Sequence, residues 1–229
     1  MKFLLIILLI LVQANAKELR FTLGKDSVIQ KVSLEISTKA YARIGRHPHF
    51  ITTSFSNALK LSNLGKVDGE VSRIKKISKK YPNLVAVPVA INAIEAVAFS
   101  KINDLKINNW KDLSPYKIAI VKGVKFIEHN TKNSNRVLVS SYKEAFDLIN
   151  NEEVDIIVVP KLVGLYNIFK NKEQKIKVVS PSLAKLDLYH FVHKKNAYLI
   201  PQLTPILKQM ENSGELRYMR DAYLRKITH

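Results

Sequence analysis

A stretch near the middle of the chain reads Lys117-Ile118-Ala119-Ile120-Val121-Lys122-Gly123. Its four consecutive apolar residues are typical of a strand that is buried on both faces, and Gly123 begins a helix. The same order continues with a strand at 137–139, a helix with capping-box spacing at 141–151, and a strand at 154–159. Strands that alternate with helices in this way predict parallel pairing and an α/β fold.

The N-terminal part of the chain shows the same alternation. A strand at 19–23 precedes a helix whose inward face is predicted from residues three and four apart: Ile29, Val32, Ile36, Ala40 and Ile44. A strand at 50–53, a helix at 54–64 and a strand at 67–71 follow, and the second helix is predicted to turn inward Ala58, Leu61 and Leu64. The chain therefore contains two units of one design.

The two units share a short motif. Val67-Asp68 in the first unit and Val154-Asp155 in the second each follow a helix and a tight turn, and each begins a buried strand. Ordinary helix-turn-strand sequence also produces such a pair by chance, so the motif indicates an internal repeat without proving one.

Two further segments connect the units. An apolar stretch at 85–99 leaves the first unit, a strand at 188–192 returns to it, and the tail from residue 199 is helical by pattern. We therefore predict lobe one from residues 17–99 and 188–229, and lobe two from residues 100–187. A two-strand hinge between such lobes is the anatomy of a clamshell that closes on a ligand.

The N-terminus has the three parts of a secretory signal peptide, predicted to span residues 1–16. A basic start at Met1-Lys2 is followed by an apolar run, Phe3 to Val12, and by the cleavage-site triplet Ala14-Asn15-Ala16. The apolar run is shorter than the roughly 20 residues that a membrane span needs. We expect the mature chain to be soluble and periplasmic or otherwise extracytoplasmic.

The composition excludes several classes of protein. The 229 residues include no cysteine, which excludes a disulfide scaffold, a thiolate metal site and a cysteine nucleophile. There are 37 basic and 19 acidic residues, a formal net charge of +18. Because recognition motifs for nucleic acid are absent, we expect no nucleic-acid partner. Two interpretations of the positive charge remain open. It belongs to a solvated, lysine-rich surface without a specific partner, or it creates a field that attracts anionic solutes or the anionic face of a membrane.

Several segments, in their order and spacing, resemble the bacterial extracellular solute-binding proteins of family 3. They are the segments 64–69, 110–113 ahead of 117–123, 153–158 and 203–214. The family supplies the substrate-binding components of ABC-type amino-acid transporters, as well as sensor domains. The resemblance implies a two-lobed periplasmic-binding-protein-like fold of type II and a monomer without a cofactor. It also implies a small-molecule ligand and a membrane permease or a sensor protein as partner.

The resemblance places the ligand at the carboxyl ends of the strands, where open α/β sheets receive ligands. In relatives that hold amino acids, an arginine in this part of lobe one pairs with the ligand carboxylate. The resemblance therefore points to Arg73, together with Ser72 and Glu70. Two alternatives remain open: Arg73 is a surface residue that continues a basic helix, and Glu70 is only its salt-bridge partner.

Lobe two supplies the remaining candidates, Lys122, Gly123 and Lys161. Relatives that hold an α-amino group have an acidic residue where this chain has Pro160-Lys161, and often Ser or Thr where it has Val124. We therefore expect an anionic or polar ligand other than an ordinary α-amino acid.

The remaining chemistry-bearing residues do not form a recognisable site. His47 and His49 flank a proline, while His190 and His193 are spaced so that they face opposite sides of a strand, so we predict no metal site. An enzyme is not expected. The alternatives are a ligand-sensing or docking protein for a membrane signalling partner, and a dehydratase or lyase that would use Glu70 as its acid or base.

Overall fold

The computed structural model describes residues 18–24, 27–172 and 175–228. The predicted signal peptide, residues 1–16, lies outside the described residues. Within those ranges, no helix combines the length and the apolar character that crossing a bilayer requires.

Strands and helices alternate through most of the chain. The first part contains β1 (Arg20–Gly24), α1 (Val28–Ala42), β2 (His49–Thr53), α2 (Phe55–Asn63) and β3 (Gly69–Ile74). The middle part contains β4 (Leu84–Ser100), β5 (Ile118–Val121), α3 (Lys125–Asn130), β6 (Arg136–Val139), α4 (Tyr142–Asn150), β7 (Ile156–Pro160), α5 (Lys161–Lys170) and β8 (Lys177–Val178). The last part contains β9 (Ala184–His193), α6 (Ile200–Asn212) and α7 (Glu215–Thr228). The predicted α/β fold class is confirmed.

The strands form one sheet in the order β2-β1-β3-β9-β4-β7-β5-β6, with β8 paired to β4. The groups β2-β1-β3 and β7-β5-β6 are parallel, whereas β9 and β4 pair antiparallel with each other and with the groups beside them. We call β4 and β9 the crossing strands. The predicted apolar segment 85–99 lies within β4, and the predicted strand 188–192 lies within β9.

Separate hydrophobic cores lie on the two sides of the crossing strands. On the first side, α1, α6 and α7 pack on β1 and on the beginning of β4, up to Ile91. On the second side, helices cover β5 and β7, and the core takes in β4 from Ala96 onward. The sheet is therefore continuous while its core changes within β4, which fits a two-lobed arrangement. The lobe boundaries near residues 100 and 188 stay predictions.

Most predicted helix boundaries have a physical cause in the structure. The Ser27 hydroxyl accepts a hydrogen bond from the Gln30 amide at 3.3 Å and begins α1, as the sequence predicts. The inward face predicted for that helix is buried at Ile29, Val32, Ile36 and Ala40. Leu64, in contrast, was wrongly predicted to point inward. The α2 helix ends at Asn63, so Leu64 is its C-cap residue and is 57 % exposed.

The Val-Asp motif makes the same contact in both units. The Asp68 carboxylate accepts from the Arg20 amide at 2.8 Å, and the Asp68 amide donates to the Arg20 carbonyl at 2.7 Å. Asp155 makes the equivalent pair of bonds with Lys117, both at 2.8 Å. Arg20 begins β1 and Lys117 directly precedes β5, so each aspartate anchors the start of the strand beside its own.

Two strand predictions need correction. The strand predicted at 67–71 runs instead from Gly69 to Ile74, because its outer residues continue to pair with β9. Arg73 therefore lies on β3 and does not continue a basic helix, since the lysine-rich segment Lys75–Lys79 is a single 3-10 turn that begins after it. From sequence, a strand is also predicted at 176–179, and the structure shortens it to the two residues of β8.

The shared contact yields a stability prediction. Asp68 is buried, and its carboxylate also accepts a hydrogen bond from the side-chain nitrogen of Asn196 at 2.8 Å. We therefore expect Asp68→Ala to cost about 3 kcal/mol of unfolding free energy. Asp155→Ala, at an exposed residue, costs about 1.5 kcal/mol. Urea denaturation followed by circular dichroism measures both values.

The matched control is Asp147→Ala, which removes an exposed carboxylate that pairs with Lys143 along α4. Its cost should lie within about 0.5 kcal/mol. If all three substitutions cost the same, the anchoring role of the two aspartates is refuted.

Candidate functional site

Five of the six predicted site residues lie at or beside the carboxyl end of a strand. Ser72 and Arg73 are near the end of β3, Lys122 and Gly123 follow β5, and Lys161 follows β7. Glu70 lies deeper, as the second residue of β3. Because strands within each parallel group run in one direction, these ends share one edge of their group.

Glu70 and Arg73 form a buried ion pair. The Nη2 atom of Arg73 lies 2.7 Å from Glu70 Oε1. The side chain of Arg73 is 12 % exposed and that of Glu70 is 0 % exposed. The Thr22 hydroxyl donates to Glu70 Oε2 at 2.7 Å. Arg73 also donates to the Phe55 carbonyl at 3.0 Å, and its guanidinium carbon lies 4.6 Å from the centroid of the Phe55 ring. Glu70 is thus the salt-bridge partner that the sequence left open as an alternative.

Burial shapes the protonation of this pair. Desolvation raises the pKa of Glu70 to about 7, although Arg73 and the Thr22 hydroxyl both act to lower it. Desolvation also lowers the pKa of Arg73, against the opposing effect of Glu70. The Nε atom of Arg73 is buried and has no hydrogen-bond partner among the described residues.

Ser72 connects β3 to the first turn of α1. The Gln30 side-chain nitrogen donates to the Ser72 hydroxyl at 3.1 Å and to the Ser72 carbonyl at 3.0 Å, and both side chains are buried. The Gln30 Oε1 atom accepts no hydrogen bond within the described part of the chain. At this corner of the structure, the acceptor Gln30 Oε1 and the donor Arg73 Nε are therefore both without a hydrogen-bond partner among the described residues.

The position after β5 is filled by a carboxylate of the chain itself. Gly123 has φ = 96°, and its amide donates to Glu128 Oε1, while Lys125 Nζ lies 2.7 Å from Glu128 Oε2. The bonds from Lys125 and Gly123 lower the pKa of Glu128. Lys122 and Lys161 are exposed, and neither has a carboxylate within 4 Å among the described residues.

An apolar cluster joins the two sides of the molecule next to these strand ends. We call it the interlobe cluster; its buried members are Val28 and Ile29 on α1, Val163 on α5 and Leu188 on β9. Half-buried residues complete it: Ile74, Ile94, Tyr142, Leu162, Tyr166 and Tyr223. Helices α1 and α5 each follow a strand end, and their first turns meet in this cluster.

Sequence reasoning missed this cluster, although one signal was present. Leu162 and Val163 are two adjacent apolar residues in the first turn of a helix that directly follows a buried strand. Desolvation in the same cluster raises the pKa of Tyr142 to about 12.

The buried histidine of β9 has a structural role. Nδ1 of His190 lies 3.1 Å from the Val71 carbonyl oxygen, and Nε2 lies 2.9 Å from the Tyr41 hydroxyl. Burial lowers the pKa of His190 to about 4, so the ring is neutral at physiological pH. Over the residues that the structure describes, no three His, Cys, Asp or Glu side chains are grouped as a metal site.

Sequence comparisons find two related proteins at low identity. No protein-family model matches the chain. It is 25 % identical over 205 residues to an uncharacterized protein of Shewanella oneidensis, a match that covers 82 % of this chain and 74 % of the other. It is 26 % identical over 135 residues to a protein of Shewanella frigidimarina named "Putative sensor protein". That match covers 55 % of this chain and 19 % of the relative, so it corresponds to about a fifth of the longer protein.

Solved structures with the same fold are two-lobed binding domains. A histidine kinase sensor domain with similarity to periplasmic binding proteins superposes with a TM-score of 0.66 at 18 % identity, covering 91 % of this chain and 96 % of the other. The GluR0 ligand-binding core in complex with L-glutamate gives 0.72 at 13 % identity, covering 92 % and 99 %. The second substrate-binding domain of an amino acid ABC transporter from Streptococcus pneumoniae gives 0.70 at 16 % identity, covering 90 % and 100 %. These likenesses show a two-lobed, periplasmic-binding-protein-like fold.

The raised pKa of Glu70 predicts a pH dependence of stability. The folded state binds a proton that the unfolded chain, with an ordinary pKa of 4.5, releases earlier, so the contribution of Glu70 is complete below pH 4.5 and is lost as the pH rises through 7. We expect the difference in unfolding free energy between wild type and Glu70→Gln to fall by about 3 kcal/mol between pH 4.5 and 7. Urea unfolding at several pH values measures it.

Glu128→Gln is the control with the opposite sign. Because the pKa of Glu128 is lowered, its contribution is lost only as the pH falls below its ordinary value of 4.5. If the difference in unfolding free energy between wild type and Glu70→Gln stays constant from pH 4.5 to 7, Glu70 is ionised throughout this range and the prediction is wrong.

Proposed function

We propose that the protein is an extracytoplasmic binding protein that captures a small molecule between its two lobes. The interlobe cluster carries this proposal, because it combines the first turn of α1 with the first turn of α5 at the strand ends. A ligand in this place contacts both halves of the molecule. It favours closure to the extent that it binds the closed arrangement more tightly than the open one.

The ligand that we propose is uncharged and carries an apolar or aromatic group. Arg73 is already neutralised by Glu70, and the Gly123 amide is already bonded to Glu128. The side chains that meet between the halves are aliphatic residues and tyrosines. Within the described part of the chain, the unpaired cations at these strand ends, Lys122 and Lys161, are exposed. A ligand carboxylate placed among the apolar side chains of the cluster would lose its hydration, which is costly.

Two polar atoms at the corner between β3 and α1, the Arg73 Nε donor and the Gln30 Oε1 acceptor, are buried without a hydrogen-bond partner among the described residues. A neutral amide or hydroxyl group of a ligand would contact them only where movement of the two halves uncovers them. The sequence favours an anionic ligand, and this stays a prediction. The calorimetric titration described below tests it against the uncharged ligand.

A sensory role is the first choice for what binding achieves. It rests on a sequence match, to the Shewanella frigidimarina protein, whereas solute uptake of the family 3 kind rests on likeness of fold to a transporter domain. The partner in the first case is a membrane signalling protein and in the second a permease. A gene for a signalling protein beside this one supports sensing, and a permease gene supports uptake.

An enzymatic role has less support. The acid or base that a lyase would need was predicted to be Glu70, and this carboxyl is fully buried and held by Arg73 and Thr22. A general acid or base must reach the proton that it transfers. We therefore propose a binding protein without catalytic activity.

Calorimetric titration of the purified protein tests the ligand class. The panel contains uncharged aromatic and aliphatic solutes, dicarboxylates and the twenty amino acids. We expect micromolar affinity for a member of the uncharged group, and at least tenfold weaker binding to Val163→Asp, which places a carboxylate in the cluster. Leu138→Asp, at a residue of β6 that is 46 % exposed, is the matched control and should bind normally. Tightest binding to a dicarboxylate would contradict the proposal.

Lobe closure is measurable because the chain has no cysteine of its own. Spin labels on Ile51→Cys in β2 and Leu138→Cys in β6 lie at opposite edges of the sheet, at exposed positions. We expect the bound ligand to shorten and narrow the interspin distance distribution. A label pair at Ile51 and Leu64, both in the first half, should not respond. Binding without any change in the first pair would refute closure.

A further inference from the structure

A second cavity lies against the crossing strands and shares no lining residue with the interlobe cluster. It has a volume of about 240 Å³ and opens between the strands and the tail helices. Its polar lining comprises Asn92 of β4, Lys185 and Asp187 of β9, Glu211 of α6, and Arg217 and Arg220 of α7. We call it the hinge cavity.

The hinge cavity has two arginines without partners. Lys185 is 3.4 Å from Asp187, so that lysine is at least partly neutralised. Neither Arg217 nor Arg220 has a carboxylate within 4 Å in the described ranges of the chain. The two arginines are three residues apart on α7 and therefore lie on the same face of the helix. The cavity thus presents two guanidinium groups that form no ion pair within the described residues, although the carboxylates of Asp187 and Glu211 line the same cavity.

We propose that the hinge cavity binds a small oxyanion, either a carboxylate or a phosphate, between Arg217 and Arg220. A guanidinium group donates two parallel hydrogen bonds that match a pair of carboxylate or phosphate oxygens. Lys185 supplies a third cation at the rim, and Asn92 lies on the strand side of the cavity. The net charge of +18 raises the local concentration of anions at such a site.

The volume of the cavity suits a small anion. Its 240 Å³ is room for about eight water molecules at ~30 Å³ each, which accommodates inorganic phosphate or a short dicarboxylate. Because the cavity is open to solvent, its volume does not limit the part of a ligand that extends outside it.

The cavity also bears on the movement of the lobes. Its wall includes Ala90 and Asn92, the two residues between which the pairing of β4 with β9 shifts register. An anion held by α7 against this irregularity ties the tail helix to the part of β4 that must bend on closure. This consequence rests on the proposed function; the binding itself does not.

The test is a titration with inorganic phosphate and, separately, with succinate, at an ionic strength kept constant with sodium chloride. Wild type should bind one or both with submillimolar affinity, as measured by calorimetry. The Arg217→Gln/Arg220→Gln variant should bind at least tenfold more weakly. Comparison of the two anions distinguishes a phosphate site from a carboxylate site.

The matched control is Lys143→Gln/Lys170→Gln, which removes the same number of positive charges from a separate cavity between α4 and α5. Its affinity should equal that of wild type. Equal weakening of both variants would show a general charge effect and overturn the proposal, as would the absence of binding to wild type.

A second measurement covers the case in which the arginine variant does not fold. In wild-type protein with ¹⁵N-labelled arginine, the side-chain Nε resonances of Arg217 and Arg220 should shift on titration, while that of Arg43, which pairs with Glu215, should not. Uniform shifts of all arginines would refute the site. Because no lobe ligand is present, failure here leaves the proposed function unaffected, and failure of the lobe ligand leaves this result unaffected.

Discussion

The architecture depends on two aspartates that fix how each parallel group of strands is aligned. Asp68 and Asp155 each bond the residue at the start of the neighbouring strand, with a carboxylate oxygen and a backbone amide acting together. A shift of one residue would turn every side chain of the strand to its opposite face. Because these bonds favour one alignment, the carboxyl ends of the strands in each parallel group lie along one edge of that group.

Acidic residues are scarce in this chain, and the structure concentrates them at junctions. Glu70 holds Arg73 inside the first half, and Glu128 closes the turn after β5. Glu215 binds Lys39 at 2.7 Å and Arg43 at 2.8 Å, which connects the start of α7 to α1. Among the residues that the structure describes, most lysines form no ion pair. The excess positive charge therefore acts as a field around the molecule and contributes little to holding it together.

Much of the fold was accessible from sequence, for identifiable reasons. Buried parallel strands such as Ile118–Val121 are continuous apolar runs, and Ser27 is a recognisable helix cap, so local patterns determine both. The placement of Arg73 was harder, because strand pairing with β9, distant in sequence, extends β3 past the apolar run. The sequence left the pairing of Glu70 with Arg73 open as one alternative, and it gave no sign that the Gly123 amide would bond to Glu128. Both contacts depend on side-chain geometry around Glu70 and Glu128, which no spacing rule specifies, and so the polarity of the crevice could not be predicted.

The route of the chain through the sheet has a consequence for the order in which the protein acquires structure. The core of the second half is assembled from a contiguous stretch, residues 96–184, whereas the core of the first half joins residues near 20 to residues beyond 190. Contacts between distant residues form slowly, since a long loop must close before any of them is made. The half that is synthesised later is therefore the half that can fold first. The strands β1, β2 and β3 can pair with one another early, but the second edge of β3 stays unpaired until β9 has been made.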